Sequence, residues 1–313
     1  MGSYDADVVI IGAGAAGLSA GQYAARANLS ALIIEHMAPG GQALLIDKLE
    51  NYPGYIAPRT GFEFAEDMKK QAEEFGAKII SETVLELKKE QNTFIVTLGN
   101  GSTLKCPTVI IATGAKHKML EIPGEKEFYG RGVSYCATCD GPFFKKKKIL
   151  VVGGGDSACD EGAFLANLTD DVVLIHRKER FRAQQSLAER VLKNPHVEVR
   201  FNSRLLEIKG AQKVTSALIE KIDTRETYEE AFDAVFIFIG SIPQTSLVPD
   251  IEMDEGGYIV TDQYRRTSVP GLYAAGDVRS SPFRQVVVAA ADGAIAAHSA
   301  SQYIDDLRGE AYK

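Results

Sequence analysis

Two cysteines separated by two residues, Cys136 and Cys139, are the residues in this chain most suited to chemistry, and Asp140 follows them directly. Sulfurs at this spacing can close a small-loop disulfide, and a turn or helix start at the same place lowers a thiol pKa toward the thiolate. A neighbouring carboxyl group could donate and accept the proton that thiol–disulfide exchange moves. The pattern therefore favours a reversible redox centre with Cys136, Cys139 and Asp140 as catalytic residues.

A metal site is the alternative for such a cysteine pair. Structural zinc needs about four ligands, usually supplied as two pairs. The other cysteines, Cys106 and Cys159, are single and far apart, and the five histidines are scattered. We therefore predict no metal, and we interpret Cys106 and Cys159 as buried apolar residues, with Cys159 in a helix.

The cysteine pair lies between two stretches that repeat one pattern: an apolar run, a glycine-rich loop and a helix-like segment. The runs are Asp7–Ile11 and Lys148–Val152, and the loops are Gly12–Gly17 and Gly153–Ala158. In such a turn the first glycine permits the bend, the second lets backbone approach a pyrophosphate, and the third position must be small. The helix N-terminus then offers unpaired N–H groups to phosphates. Both loops predict a dinucleotide site; the alternative is a glycine-rich packing turn.

The residue that ends the strand after each loop separates the two ligands. Glu35 follows the run Ala31–Ile34, where an acid accepts hydrogen bonds from a free ribose diol and repels a 2′-phosphate. The second copy offers Arg177, Lys178 and, a few residues on, Arg180 and Arg182 instead, and cations suit a 2′-phosphate. The first loop therefore fits FAD or NAD and the second fits NADP, unless these basic residues serve only solubility.

Parallel sheets must carry these loops. Apolar runs that end on glycine close each copy, at Thr108–Gly114 and Ala234–Gly240. Continuous apolar runs of this length, separated by helices, are typical of parallel strands covered on both faces. The predicted fold class is α/β, with two Rossmann-like dinucleotide-binding domains.

Linkers and a tail complete this organisation. The segments after the closing glycines, Ala115–Lys118 and Ser241–Thr245, are candidate linkers. The tail holds a strand signal at Gly271–Asp277 and an alanine-rich helix at Gln285–Tyr303. It is short for a third domain, so we expect it to fold back onto one of the other two.

Composition narrows the function further. The 313 residues carry a net charge of −7, which argues against a nucleic-acid-binding surface and against attraction to anionic membranes. The most apolar stretches, such as Val286–Ala297, are short, and that one is interrupted by Asp292 and Gly293. The N-terminus lacks the basic start and apolar core of a signal peptide. We expect a cytoplasmic protein with no membrane and no nucleic-acid partner.

A chain with an FAD-type loop, an NADP-type loop and a C-x-x-C pair is suited to move electrons from a hydride donor to a disulfide, because a flavin mediates between the two. This chain resembles the low-molecular-weight thioredoxin reductases over nearly its whole length. The matching motifs are the first glycine loop, GGQ at 40–42, NYPG at 51–54, ATG at 112–114, CATCDG at 136–141, GGGDSA at 153–158, HRKERFRA at 176–183, AAGD at 274–277 and FRQ at 283–285. CATCDG directly upstream of GGGDSA is highly specific.

The resemblance implies three-layer ββα domains, with an NADPH domain of residues 118–244 inserted into a discontinuous FAD domain of residues 1–117 and 245–313. It implies an enzyme that reduces the thioredoxin disulfide with NADPH through FAD, forms a homodimer, and rotates its domains between flavin reduction and disulfide exchange. Cys139 would face the flavin, Cys136 would attack the thioredoxin disulfide, and Asp140 would act as acid and base.

The resemblance also assigns cofactor contacts. For FAD these are Gly12, Gly14, Ala15, Ala16, Glu35 at the adenosine ribose, Gly41, Gln42, Asn51, Val84, Ala112, Thr113, Gly114, Gly276, Asp277 at the ribityl–phosphate region, and Arg284, Gln285 and Val286 beside the isoalloxazine. For NADPH they are Gly153, Gly155, Asp156, Ser157, Arg177, Lys178, Arg182 and Gly240. Arg131, Phe143 and Phe144 would help dock thioredoxin.

Two positions depart from the family pattern, and other activities stay open. The usual pair of arginines is Arg177-Lys178 here, so one guanidinium fork is lost, and Pro142 occupies a position that is aromatic in some members. A flavin-dependent dithiol oxidase or a ferredoxin-driven disulfide reductase could use the same scaffold, although the basic cluster argues against both. A nucleotide-binding redox sensor without enzymatic activity is the remaining alternative.

Overall fold

The computed structural model describes residues 4–46, 49, 51–57 and 59–310. The chain divides into two compact units: the first combines the residues up to Lys116 with those from Ile242 onward, and the second runs from His117 to Ser241. The second unit is therefore an insertion within the first. Which nucleotide each unit binds stays a prediction.

The strands in chain order are β1 (Val8–Ile11), β2 (Ala31–Glu35), β3 (Lys78–Ser81), β4 (Val84–Glu90), β5 (Thr93–Leu98), β6 (Thr103–Cys106), β7 (Thr108–Ile111), β8 (Ala115–His117), β9 (Val133–Ser134), β10 (Ile149–Gly153), β11 (Val172–Ile175), β12 (Val197–Arg200), β13 (Ser203–Gly210), β14 (Val214–Lys221), β15 (Thr227–Ala231), β16 (Ala234–Phe238), β17 (Ser241–Pro243) and β18 (Leu272–Ala274). The helices are α1 (Ala15–Arg26), α2 (Gly61–Glu74), α3 (Ala137–Asp140), α4 (Asp156–Leu165), α5 (Gln185–Leu192) and α6 (Val286–Arg308). Short 3₁₀ turns lie at Gly41–Leu45, Gly141–Phe144 and Gly276–Val278. The two predicted linkers thus contain short strands, β8 and β17, which pair with each other.

β1 lies at the centre of a parallel five-stranded sheet in the first unit, in the order β18-β7-β1-β2-β3. All four of its residues are buried, as apolar residues are in a strand covered on both faces. On one face Leu18 of α1 and Phe64 of α2 share a core with Ile10. On the other face the antiparallel sheet β4-β5-β6 contributes Phe94 to a core with Val9. The unit therefore has three layers: sheet, sheet and helices.

The C-terminal tail completes the first unit. β18 pairs in parallel with β7, and α6 packs against α1, where the Ser19 hydroxyl donates to the Ala290 carbonyl at 2.7 Å. Gly293 is required at this crossing because a Cβ there would overlap the Ala16 carbonyl oxygen. The expectation that the tail folds back onto a domain is therefore met in the first unit.

Helix ends differ slightly from the sequence predictions. α6 begins at Val286 rather than Gln285. α6 also continues past the predicted end at Tyr303, because Ile304 is apolar and buried and the first helix-ending residue is Gly309, in the left-handed conformation with φ 74°.

The second unit repeats the same architecture. Its parallel sheet has the order β12-β11-β10-β16-β9, and the antiparallel sheet β13-β14-β15 covers one face, where Leu150 packs with Leu205. On the other face Cys159 of α4 packs with Val151. The predicted α/β fold class with two Rossmann-like domains is confirmed. No helix of the described ranges is long and apolar enough to cross a lipid bilayer.

Candidate dinucleotide sites and dithiol centre

The two cysteines of the C-x-x-C motif form a disulfide, with their Cα atoms 5.3 Å apart. Cys136 immediately precedes the short helix α3, and the N–H of Cys139 donates to Cys136 Sγ at 3.2 Å. The small-loop disulfide at a helix start is therefore present as the sequence predicts. Two electrons break such a bond and its re-formation releases them, so the pair can accept and pass on reducing equivalents.

A buried serine holds Asp140 beside this disulfide. Ser134, at the end of β9, is 2% exposed, and its hydroxyl donates to Asp140 Oδ2 at 2.5 Å. Ser134 Oγ also accepts the N–H of Cys136 at 3.1 Å. Because one hydroxyl contacts both groups, it fixes the carboxyl group next to the cysteine loop, where a proton donor and acceptor is useful.

The residue before the disulfide is also held firmly. The Tyr135 hydroxyl donates to Glu125 Oε1 at 2.8 Å, and its ring stacks on His117 with centroids 5.1 Å apart. Glu125 is fully buried, and its carboxylate also accepts the N–H groups of Leu120 and Glu121. Burial lowers the pKa of His117, which favours the neutral imidazole in this stack.

The remaining cysteines are outside the redox centre. Cys106 and Cys159 are both buried free thiols, as the sequence predicts. Burial raises the pKa of Cys106 to about 12 and that of Cys159 to about 11. Thiols with such pKa values carry almost no thiolate near neutral pH, so neither is suited to exchange chemistry.

The residues predicted to dock a partner differ in exposure. The Phe143 side chain is exposed, whereas Phe144 packs edge-on against the buried Phe236 with ring centroids 5.9 Å apart. The Arg131 guanidinium donates to the Glu127 carbonyl. Of the two phenylalanines, only Phe143 therefore offers substantial apolar surface to another protein.

The first glycine loop connects β1 to α1 and presses against β7. A Cβ on Gly12 would overlap the Ala112 carbonyl oxygen, and one on Gly17 would overlap the Gly12 carbonyl oxygen. Gly14 differs, because nothing lies within 4 Å of the place where its Cβ would be. Glu35 is buried, and its Oε2 accepts the N–H of Ala13 in this loop at 2.8 Å. The loop, the strand end and the carboxylate thus come together as the fingerprint requires.

Other predicted FAD residues gather around this loop. Gly40 pairs with Gly14 as an isolated bridge, which brings Gly41 to the loop, and Ala15 and Ala16 open α1. The polar side chains bond to one another and to backbone: Gln42 to the Ala115 carbonyl, Thr113 to the Gln244 carbonyl at 2.6 Å, and Asn51 to Gln285 at 3.2 Å. The Gly114 carbonyl accepts the Gln244 N–H at 2.9 Å. Val84 begins β4, just after Glu82, whose N–H donates to the Glu35 carbonyl at 3.0 Å.

A buried aspartate outside the predicted set supports the turn at Gly276 and Asp277. Asp292 of α6 is 1% exposed, and it accepts the Gly276 N–H at 3.1 Å. Its carboxylate also binds Arg265 at 2.7 Å and Arg279 at 3.3 Å. Burial raises the pKa of Asp277 in the same turn.

The segment before α6 holds the predicted isoalloxazine contacts. The Arg284 guanidinium lies 4.0 Å from the centroid of the Tyr258 ring. Gln285 is the residue before α6, and Val286 is the first residue in it. These three residues therefore stand in the same unit as the first glycine loop.

The second glycine loop connects β10 to α4, and a histidine takes the place that Glu35 has in the first. His176 follows β11, is 7% exposed, and lies so close to Gly154 that a Cβ on this glycine would overlap the imidazole ring. The Arg182 N–H donates to the Gly154 carbonyl at 2.7 Å. Burial and the charges of Arg182, Arg177 and Lys178 lower the pKa of His176. Three of the cations predicted for a 2′-phosphate, Arg177, Lys178 and Arg182, therefore lie close enough to His176 to act on its charge.

The remaining predicted NADPH residues have other surroundings. Asp156 opens α4 and accepts the Gln184 N–H at 2.7 Å, and the neighbouring Ser157 is exposed. A Cβ on Gly153 would overlap the Phe238 carbonyl oxygen, whereas nothing lies within 4 Å of one on Gly155. Gly240, with φ 105°, follows β16 and accepts the Lys118 N–H through its carbonyl at 2.9 Å.

These observations fit dinucleotide binding at both loops. Gly14 and Gly155 each precede a helix and leave open the space into which a side chain would project, which is the space a pyrophosphate needs. Within the described residues, His176 Nε2 is a buried nitrogen with no hydrogen-bond partner. Buried polar atoms are rarely left unpaired in folded proteins, so this nitrogen is an unusual feature of the second loop.

Sequence patterns did not identify several residues of these sites. Ser134 bonds the predicted Asp140, and Asp292 bonds the N–H of the predicted Gly276. Tyr135 directly precedes Cys136, and Glu161 of α4 accepts the Ala137 N–H between the two cysteines at 2.9 Å. In the sequence, Asp292 is visible only as an interruption of an apolar stretch. His176 belongs to the HRKERFRA motif, but its contact with Gly154 has no sequence signal beyond the glycine itself.

Comparisons with known proteins agree with this geometry. A family model described as pyridine nucleotide-disulphide oxidoreductase matches residues 6–293. The chain is 59% identical over 304 residues to the thioredoxin reductase of Treponema pallidum, covering 97% of this chain and 99% of that protein. It is 43% identical over 305 residues to the thioredoxin reductase of Listeria monocytogenes, covering 96% and 95% respectively.

A solved structure is similarly close. The thioredoxin reductase of Streptococcus pyogenes is 43% identical to this chain and superposes with a TM-score of 0.90, covering 96% of this chain and 98% of that one. Family match, sequence identity and structural similarity all extend over nearly the whole chain. This chain therefore belongs to the pyridine nucleotide-disulphide oxidoreductase family and, within it, to the low-molecular-weight thioredoxin reductases.

Proposed function

We propose that this chain is an NADPH-dependent flavoenzyme that reduces the disulfide of thioredoxin. The observation that carries the proposal is the Cys136–Cys139 disulfide in the same unit as a glycine loop beside Arg177, Lys178 and Arg182. A second loop, whose neighbouring strand ends on Glu35, lies in the other unit. A hydride donor, an electron carrier and a disulfide then each have a site, and relatives named thioredoxin reductase supply the substrate class.

FAD is the proposed ligand of the first loop. Open space at Gly14 suits the pyrophosphate, and Glu35 stands where a carboxylate accepts hydrogen bonds from the ribose diol. Gln42, Asn51 and Asp277 are proposed to orient the rest of the molecule. Bound FAD supplies a group that accepts a hydride and delivers an electron pair to a disulfide.

NADPH is the proposed ligand of the second loop. Gly155 leaves room for its pyrophosphate, and Arg177 and Arg182 can each bind a 2′-phosphate through two parallel hydrogen bonds. Lys178 adds a charge without the fork geometry of a second adjacent arginine. His176 stands at this strand end in place of a carboxylate, so this position does not repel the phosphate.

The dithiol is proposed to work by two successive exchanges. The thiolate of Cys136 attacks one thioredoxin sulfur, forms a mixed disulfide, and releases the other thioredoxin sulfur as a thiolate. Cys139 then attacks Cys136, which re-forms the Cys136–Cys139 bond and releases fully reduced thioredoxin. Two electrons pass to thioredoxin, and Asp140, held by Ser134, supplies and recovers the protons of the sulfurs.

Partner contacts, motion and assembly are proposed on the same grounds. Phe143 and Arg131 would contact thioredoxin, and Cys139 would face the flavin. Because the dithiol and the basic loop share one unit, we propose that the units rotate about β8 and β17 to alternate nicotinamide and disulfide at the flavin. A crosslink that pins the units while turnover continues would contradict this rotation. A cytoplasmic homodimer is proposed from the family, and sedimentation of the purified protein tests the dimer.

Cys139→Ser tests the proposed function. The purified yellow protein is mixed anaerobically with NADPH, and flavin absorbance is followed before thioredoxin is added. We expect flavin reduction to survive and thioredoxin-dependent NADPH oxidation to be lost, because the electron pair has no disulfide to enter. The control Cys106→Ala, at a buried cysteine outside the site, keeps both. Loss of flavin reduction in Cys139→Ser, or continued thioredoxin reduction, contradicts the assigned roles.

A further inference from the structure

A carboxylate from α4 is bonded to the backbone between the two cysteines. Glu161 Oε2 accepts the N–H of Ala137 at 2.9 Å, and its carboxylate also bonds the backbone of Thr138. Ala137 and Thr138 are the two residues that separate Cys136 from Cys139. Glu161 is partly buried, and burial raises its pKa. Two carboxyl groups are therefore anchored at the cysteine loop: Glu161 through the Ala137 N–H, and Asp140 through Ser134, which accepts the Cys136 N–H.

Such a carboxylate acts differently on the two redox states. Reduction breaks the Cys136–Cys139 bond, adds two electrons, and takes up two protons to give two thiols, or one proton to give a thiol and a thiolate. A nearby negative charge opposes formation of a thiolate but has no net charge to act on in a disulfide. The two N–H groups that Glu161 occupies would otherwise be available to stabilise thiolate charge. The carboxylate therefore disfavours the reduced state.

Destabilising the reduced state makes a dithiol a stronger reductant. When the reduced form of a C-x-x-C pair is stabilised, its reduction potential rises and the disulfide becomes a stronger oxidant. Strongly oxidising dithiol proteins work in this way. A reductase that must pass electrons to another disulfide needs the opposite bias. The C-x-x-C-D sequence does not by itself place a carboxylate on the Ala137 backbone. In the fold, Glu161 places one there.

We propose that Glu161 is a positioning residue that keeps the Cys136–Cys139 pair strongly reducing, by holding a carboxylate on the backbone between the two sulfurs. The inference rests on the proposed function only in taking this pair as the redox centre. It assigns to α4 a part in setting the direction of electron flow toward the partner disulfide.

Glu161→Gln tests the proposal, because the amide oxygen can still accept the Ala137 N–H while the charge is removed. The holoenzyme is equilibrated anaerobically with mixtures of oxidised and reduced dithiothreitol, quenched in acid, unfolded and tagged with a thiol reagent. Mass spectrometry then counts two tags, on Cys106 and Cys159, in the oxidised chain and four in the reduced chain.

We expect Glu161→Gln to shift the equilibrium about tenfold toward the dithiol, which is about 30 mV in midpoint potential. Glu161→Ala, a second neutral variant, shifts it in the same direction, and Glu161→Asp, which keeps the charge, stays within twofold of the parent. Asp160→Asn is the matched control: it removes the same charge one residue earlier, from an exposed side chain paired with Arg190, and leaves the midpoint within twofold.

Three outcomes overturn the inference: neutral variants at position 161 within twofold of the parent, Glu161→Asp shifted as far as Glu161→Gln, or Asp160→Asn shifted equally. The proposed function fails in a different way. If the parent chain keeps two tags across the whole dithiothreitol series, the pair does not cycle at all.

Discussion

Replacing Asp292 with alanine is expected to destabilise the first unit severely. The carboxylate is 1% exposed and accepts hydrogen bonds from Arg265, Arg279 and the Gly276 N–H. The substitution would leave two guanidinium groups, with 16% and 11% of their side chains exposed, without their buried counter-charge. Breaking a buried ion pair from one side costs about 3–5 kcal/mol, because the remaining charge is desolvated and unpaired.

The assay is guanidinium-induced unfolding followed by circular dichroism, with thermal melts alongside. For a unit of this size about 3–5 kcal/mol corresponds to a fall in Tm of about 6–20 °C. FAD release should also accelerate, because Asp292 holds the turn that contains Asp277. Asp306→Ala, at an exposed position of the same helix, is the control and should stay within about 0.5 kcal/mol.

A loss below about 1 kcal/mol in Asp292→Ala would refute this reasoning, since it would mean that the two arginines find other partners or water at little cost. Asp292→Asn refines the test. It keeps an acceptor for the Gly276 N–H but removes the charge, so its effect should fall between those of the parent and the alanine variant.

Three further predictions concern the second unit and the buried thiols. Gly155→Ala should change the free energy of unfolding by no more than about 0.5 kcal/mol, since the added Cβ meets only open space. NADPH affinity, measured by titration calorimetry, should fall, and an unchanged affinity would contradict a pyrophosphate there. Gly154→Ala should cost about 1–3 kcal/mol through overlap with His176, and adding His176→Ala should recover part of that loss in a double-mutant cycle; strict additivity would argue against the contact. In the reduced native chain at pH 8, iodoacetamide should tag two thiols rather than four. The pKa values of Cys106 and Cys159, about 12 and about 11, keep these two thiols protonated until the pH approaches those values. A third rapid tag would contradict this.

The features that sequence patterns predicted correctly are local. The strand–glycine–helix order of both copies, the disulfide spacing and the position of Glu35 depend on residues close together in the chain. Strands such as β1 are recognisable because both of their faces are covered and every residue is apolar. The tail helix was also recognisable, although its end was not, because the buried Ile304 extends it.

The features that patterns missed depend on tertiary contacts between polar residues. Asp292 contacts Arg265 from a distant segment, and Glu161 reaches Ala137 from the helix that follows the next strand. An isolated acid in an apolar or helical stretch has the same sequence signature whether it faces solvent, a guanidinium or a backbone N–H. Only the packing of α4 and α6 decides among these possibilities.

The insertion of one unit within the other has a consequence for synthesis. Residues 117–241 emerge from the ribosome as an uninterrupted stretch, so every strand of their sheet is available early. The sheet around β1 lacks its edge strand β18, and α1 lacks its neighbour α6, until the last segment of the chain is made. The inserted unit can thus fold first, while the N-terminal part of the first unit still has apolar surface exposed. A truncated or stalled chain would expose that surface to chaperones and proteases.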